Sequence, residues 1–474
     1  MSTLTTGAGR PVITAWSAVS SYGIGRAAFA EGLREQRRTV ADLGPEHGET
    51  PDGTGCVVPG FDIREVLGKK GTRSMDRVTG LTVTAVGALL DDGDRNRAVG
   101  TGEGAAFALG TTTGSAQSMM DFTRDSLTGE QPFFVDPARF PNTVMNCAAG
   151  QSAIWYQLKG PNATIAGGRT AGLHALNYSR RLLGSGRART VLCGAAEEFS
   201  QARAWLERRS GDEGDASPGA PLGEGCAMLL VEPHDPDDAA QPVLAELVAV
   251  ELGVVLDKDT RPALVSCLRS ALRRAGVEAD EVVAVARSGA PGREGRGEAD
   301  AVAEVFGEGG PRRPHTHRAD RRHRRRRRGL PGRGPAVVRR RPARGRGRPD
   351  RRDHLRGPHR HRRLRPARPA LRPLRRIRPR PTHQLMRGTP TVLDKEELRA
   401  VVAQVLDVDE SEITDDARFV DDLEVDSLMA LEIVVVLEKK YGIKLPESEL
   451  KQIVTLQSAY DLLLGKLDAA QRAA

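Results

Sequence analysis

Few residues in this 474-residue chain have a type and spacing that could do chemistry. The clearest is Ser427, in the triplet Asp426-Ser427-Leu428, where a loop rich in Asp and Thr runs into an apolar helical pattern. A serine hydroxyl at that point is exposed, and a helix N-terminus favours a negative group attached to it. Asp422, Glu424, Asp426, Glu432 and Glu438 make the surroundings acidic. A serine at a helix start is also what an N-cap looks like, so the triplet alone leaves both readings open. The thiols offer less. Cys56, Cys147, Cys193, Cys226 and Cys267 are widely spaced, odd in number and form no CxxC pair, so neither a zinc site nor a disulfide framework is expected. Seven of the ten histidines fall in one Arg-rich stretch, without metal-ligand spacing.

The elements that must position Ser427 are helical. Leu398, Val401, Val402 and Val405 recur at helical spacing. A second helix is predicted from Ser427 to Tyr441, stopped by Gly442. Pro446 can open a short third element with Leu450 and Ile453 facing inward, and Ser458 can cap a last helix through Leu464. The expectation is an all-α antiparallel bundle. Upstream, the pattern alternates. Val12–Thr14, Ala105–Leu109, Arg189–Cys193 and Ala227–Val231 read as buried strands, with helices over Ala27–Leu33 and Leu173–Leu183. Alternation of this kind predicts an α/β architecture.

Charge divides the chain. The net charge of +9 hides two acidic parts, −9 each over residues 1–310 and 386–474, around a segment of +27 at 311–385. That segment holds 30 Arg and no Lys, Glu, Ser, Asn or aromatic residue, and 60 of its 75 residues are Arg, Pro, Gly, Ala or His. Those residues are mainly GC-rich in their codons, as when a GC-rich gene is read in the wrong frame. A frame-shifted join of two genes, a disordered linker and a phosphate-binding arm are the three readings. No aromatic is interleaved for base stacking, so nucleic acid is not expected as a partner. Ordinary sequence resumes at Met386, as an internal start would. The length suits roughly three domains at about 150 residues each. Apolar runs such as Ile433–Leu437 are too short to span a bilayer, and MSTLTTGAGR lacks the apolar stretch of a signal peptide. No membrane association is expected, and the default location is cytoplasmic.

The C-terminal part, through DSL before an apolar helix, YGIKLP and TLQSAYDLL, resembles acyl carrier proteins along its length. The resemblance implies that Ser427 carries 4′-phosphopantetheine, added from coenzyme A by a phosphopantetheinyl transferase. It also implies that the acidic second helix meets basic patches on acyl-processing partner enzymes.

Residues 10–307 resemble β-ketoacyl synthases of the thiolase fold. The stretches that carry this are VITAWSAVSSYGIGRAAF (Val12 to Phe29), FPNTVMNCAAGQSA (Phe140 to Ala153), RTVLCGAAEEF (Arg189 to Phe199) and LGEGCAMLLVE (Leu222 to Glu232). Such synthases hold a nucleophilic Cys on a strand-to-helix turn in a GP-led segment. Here that segment is GPNATIAGGRTAGLHAL (Gly160 to Leu176), and the Cys position falls on Arg169, which cannot form an acyl thioester. Ser288 stands at the family's first His position, in VVAVARSGAPGREGRGEADAVAEVFG (Val282 to Gly307). Cys147 and His174 read as structural. With both positions substituted, the domain resembles the chain-length factors of type II polyketide systems. These pair as a heterodimer with a ketosynthase subunit that supplies the Cys. Arg169 is then structural or a carboxylate binder. The fold implied is an α/β thiolase-like domain whose second half is incomplete, beginning at about residue 245. An active synthase fused to its carrier and a nucleic-acid-binding protein are the rival readings.

Overall fold

The computed structural model describes residues 10–210, 221–255, 259–307, 393–406, 408–423, 425, 427–446, 449 and 452–473. The Arg-rich segment, Met386, Glu424, Asp426 and Leu450 lie outside the described residues, as do the side chains of Ser427 and Leu428.

In chain order the N-terminal part has β1 (Pro11–Ser20), β2 (Gly23–Ile24), α1 (Arg26–Arg34), β3 (Ala41–Asp42), β4 (Thr54–Gly55), α2 (Ile63–Leu67), α3 (Arg77–Leu90) and α4 (Asp94–Val99). Then come β5 (Ala105–Thr111), α5 (Ala116–Thr128), a 3-10 turn over Pro137–Thr143, α6 (Cys147–Tyr156), β6 (Asn162–Ala166), α7 (Ala171–Gly184) and β7 (Thr190–Glu197). The series closes with α8 (Gln201–Ser210), β8 (Gly225–Pro233), β9 (Ala245–Glu246), α9 (Thr260–Ala275) and α10 (Gly292–Phe306). The main sheet runs β2-β1-β8-β7-β5-β6, with β9 also on β1. β5 is parallel to β6 and β7, whereas β8 is antiparallel to both β7 and β1.

Helices cover both faces, so β5 is buried along its whole length and reads as an unbroken apolar run. α3 and α6 pack on one face and α7 on the other. Twelve of the fourteen residues of α3 are buried, the pattern of a helix enclosed all round. Small residues permit this packing. A Cβ on Gly110 would lie 2.5 Å from the backbone carbon of Ala171, where α7 begins against β5. β1 exceeds the predicted Val12–Thr14 strand because it pairs with β8 from Pro11 to Val19, with a register shift between Ile13 and Ala15.

Two buried carboxylates hold this part together differently. Glu224 takes Arg77 through two 2.6 Å hydrogen bonds and the backbone amides of Val58 at 2.8 Å and Phe199 at 3.1 Å. Glu198 is 2% exposed and accepts from the Gln117 amide at 3.1 Å. Burial pushes its carboxyl up to about 7, aided by the charge of Asp76 and opposed by the Gln117 amide, Ser200 and Arg203.

The second half is incomplete, as expected. α9 and α10 pack on one another, with Arg261 2.7 Å and Arg269 3.2 Å from Glu304. Among the described residues the apolar stretches around them form no sheet of their own. β9 has two residues, and Val243, Leu244, Val248, Val254 and Val283 are exposed.

The C-terminal part forms α11 (Lys395–Leu406), α12 (Ser427–Tyr441) and α13 (Leu456–Ala473) around Leu398, Val402, Ile433, Leu437, Leu456 and Leu463. α12 has the predicted bounds, and Gly442 leaves it at φ 64°. The last helix differs at its start. Thr455 is the cap: its hydroxyl accepts from the Ser458 amide at 3.2 Å, while Ser458 Oγ accepts from the Thr455 amide at 2.9 Å. Ser458 is thus the reciprocal member of a capping box one turn inside the helix.

Two outcomes follow from this packing. Glu198 binds its proton more tightly folded than unfolded. Its contribution is therefore fully present below its unfolded pKa and is lost as pH rises through about 7. Glu198→Gln removes that loss, and chemical denaturation at pH 8 should show a gain of up to about 3 kcal/mol that vanishes near pH 4. An equal gain at both pH values contradicts this account. Separately, a fragment of residues 1–310 should aggregate, because its second half exposes apolar strand segments. A soluble fragment that unfolds cooperatively would refute it.

Candidate functional site

The loop that delivers Ser427 is fixed from below. The Phe419 amide donates to Val454 O at 2.9 Å and the Val425 amide to Phe419 O at 2.7 Å, while both side chains sit in the bundle core. Arg418 is 2.8 Å from the Asp421 carboxylate, and its amide donates to Asp422 Oδ2 at 2.8 Å. Asp415 anchors the other end, accepting from Lys395 and, at 2.6 Å, from Arg399. These hydrogen bonds hold its carboxyl below the usual range. At the far end of α12, Glu438 Oε1 accepts from the Leu445 amide at 2.7 Å.

Ser427 is the first residue of the fifteen-residue α12. The amides of a helix's first turn have no intrahelical partner and point at whatever the opening residue bears. An anionic group esterified to a hydroxyl at that residue suits the helix dipole. Ala430, one turn on, is exposed.

The second candidate site is a turn without a nucleophile. β6 ends at Ala166, a 3-10 turn spans Gly168–Thr170, and α7 follows at Ala171. Gly168 takes φ 58°, which lets the chain reverse in one residue. Arg169 stands on this turn with its side chain half-exposed, Nη2 3.9 Å from Glu207 and Nε 3.6 Å from Glu294. Ser288 is exposed, and its amide and hydroxyl each donate to Glu298 at 2.8 Å. Arg169 and Ser288 thus meet carboxylates one turn apart on α10, and no contact joins them directly among the described residues. Glu207, Glu294 and Glu298 were not foreseen. The i, i+4 spacing of Glu294 and Glu298 ahead of Val302 and Phe306 was the available signal.

Nor do the three buried thiols supply a nucleophile. Cys147 is 8% exposed with Sγ 3.1 Å from Asn142 Oδ1, and burial pushes its thiol up to about 11. Burial carries Cys193 and Cys226 up to about 12. His174 is half-buried on α7. Among the described residues no helix is long and apolar enough to cross a membrane.

Both parts of the chain match known proteins. The phosphopantetheine attachment site family model matches residues 396–463, and that of the β-ketoacyl synthase N-terminal domain matches residues 10–236. Polyketide-8 synthase acyl carrier protein 2 of Streptomyces avermitilis is 62% identical over 79 residues, 17% of this chain and 91% of that protein. The solved ishigamide ketosynthase/chain length factor is 49% identical, with 63% of this chain and 82% of that one covered and a TM-score of 0.59. 3-Oxoacyl-(acyl-carrier-protein) synthase 2 of Vibrio harveyi is 27% identical over 208 residues, covering 40% of this chain and 50% of that protein. The chain therefore belongs to the β-ketoacyl synthase family and continues into an acyl carrier protein domain. A covalently attached phosphopantetheine goes with that domain. The chain spans about half the length of the curated synthase.

The buried thiols make a direct prediction. Alkylation of the native full-length protein at pH 8 should modify Cys56 and Cys267, which are partly exposed, and spare Cys147, Cys193 and Cys226 until denaturant is added. Rapid native labelling of Cys147, read by peptide mass, contradicts the burial argument.

Proposed function

We propose that this chain is a non-condensing, chain-length-factor-like subunit of polyketide biosynthesis joined to a carrier that bears its 4′-phosphopantetheine on Ser427. One observation carries the reading. The turn between β6 and α7 presents Arg169 to the carboxylates of Glu207 and Glu294, whereas α12 opens on a serine. A guanidinium cannot attack a thioester, so acyl chemistry on the N-terminal part has to come from a partner. That partner is a ketosynthase subunit bearing the Cys, paired with residues 1–310 as a heterodimer. Arg169 then has a structural role, closing the turn onto α8 and α10.

Residues 386–474 form the carrier, and residues 311–385 a frame-shifted join. Ser427 holds the arm, and the N-terminal end of α12 favours the negative charge of its phosphodiester. When bound, the arm supplies a terminal thiol that holds an acyl group as a thioester. The acids around α12 then steer the carrier to a phosphopantetheinyl transferase and to acyl-processing enzymes. These reactions place the protein in the cytoplasm.

Ser427→Ala should abolish arm attachment by a transferase and coenzyme A, as read by intact mass. The bundle should stay folded, as read by circular dichroism and a cooperative denaturant melt. An arm found on the Ser427→Ala protein, or acyl label on residues 1–310 rather than on Ser427, would sink the proposal.

A further inference from the structure

The starts of three helices meet around one buried carboxylate. Glu198 follows β7 directly and is 2% exposed. Its Oε1 accepts from the Gln117 amide, in the first turn of α5, at 3.1 Å. The Gln117 side chain answers in the other direction: its Oε1 accepts from the Ala202 amide, in the first turn of α8, at 2.9 Å. Ser118, next along α5, donates at 3.2 Å to Oδ2 of Asp76, the cap of α3. Glu198 and Gln117 thus staple α5 to α8, and Asp76 ties the staple to α3.

The staple is short of positive charge. Around Glu198 stand Asp76 and Arg77 at the start of α3, Glu197 on β7, Arg203 on α8 and Glu224 just before β8. His47 is further out, its ring centre 5.7 Å from that of Phe199. Both guanidiniums are engaged elsewhere. Arg77 is held by Glu224. Arg203 Nη1 donates to the main-chain oxygens of Glu198 and Gly223, and its Nε is 3.7 Å from Glu197. Glu224 is satisfied as an anion by two amides and a guanidinium. Glu198 accepts from one amide and the Ser200 hydroxyl, with Asp76 close by. A carboxyl buried in that way is favoured in its neutral form.

We propose that Glu198 is a proton-operated latch on α8. With its proton on, it holds the first turns of α5 and α8 together. When the proton leaves, its charge stands beside Asp76 and Glu197, and α8 parts from α5. The effect reaches the turn between β6 and α7, because α8 carries Glu207, 3.9 Å from Arg169. Gln201 Nε2 and Trp205 Nε1 tie the outer side of α8, donating to Glu49 O at 2.8 and 3.0 Å. The latch therefore couples the pH of the solution to how firmly the Arg169 turn is held.

The sign follows from linkage. Closed, Glu198 keeps its proton up to about pH 7; opened into water, it returns toward the ordinary value of 4.5. The latch is at full strength below the lower value and weakens as pH rises to the upper one, because opening then releases a proton. Between pH 6 and pH 8 the open population should grow about tenfold.

The test is hydrogen exchange on the full-length chain from pH 6 to pH 8, corrected for the intrinsic pH dependence of amide exchange. Peptides of α8 and of the first turn of α5 should lose protection about tenfold over that range. The loss should be the same with and without low urea, because a local opening exposes little surface. Glu198→Gln keeps the shape without the charge and should make protection independent of pH. Asp76→Asn keeps a cap on α3 but removes the neighbouring charge. It should shrink the loss, because closed Glu198 then ionises at lower pH. An unchanging wild type, a loss that persists in Glu198→Gln, or a loss undiminished in Asp76→Asn overturns the proposal. So does a loss that steepens with urea, which would belong to unfolding of the whole part.

Discussion

Glu224 is the constraint around which the N-terminal part is arranged. Its side chain has no solvent exposure, yet it is paired with a charged guanidinium. Desolvating a carboxylate costs several kcal/mol, and only complete hydrogen bonding offsets it. Glu224 meets that condition by gathering Arg77 at the start of α3, the Val58 amide from the loop before α2 and the Phe199 amide after β7. Removing one member leaves the others buried and unsatisfied, so the three segments hold position together. The direction of α3 is set there, and β1, β7, β8 and α6 pack along it. Asp415 does smaller work of the same kind in the carrier, where more water reaches the pair and the energy involved is lower.

The two sites show what a scaffold keeps when its chemistry changes. The turn at Gly168–Thr170 retains the positive φ and the close approach of Gly110 to Ala171 that a strand-to-helix reversal needs. What it presents is an ion pair, distributed among Arg169, Glu207 and Glu294. Backbone shape and reactive group are separable because packing fixes the first, and one exposed side chain decides the second. The carrier reverses the emphasis. Its chemistry resides in an added group, so the fold has only to present one hydroxyl at the start of a stable helix.

The carrier was more legible in the sequence than the synthase-like part. α12 could be bounded to the residue because a serine opens it and Gly442 closes it, both local signals. Strand locations in the N-terminal part were readable from apolar runs, but their lengths were not. The extent of β1 is set by β8, more than two hundred residues away. The cap of α13 fell on Thr455 because Thr455 and Ser458 are both competent and reciprocal, so composition could not rank them. The least legible feature was the pairing of Arg73 with Glu432, two ordinary charged residues 359 positions apart. Glu432 was visible only as one acid among several.

The pairing of β1 with β8 also sets a timetable. Pro11 lies opposite Pro233, so the sheet cannot close until nearly half the chain has been made. At about 5–20 residues per second, β1 waits roughly ten to forty seconds on the ribosome before its partner strand emerges, and the apolar α3 roughly seven to thirty. During that interval the protein depends on whatever shields nascent chains, and its yield in a cell is governed by synthesis rate and chaperone supply as much as by the stability of the finished fold.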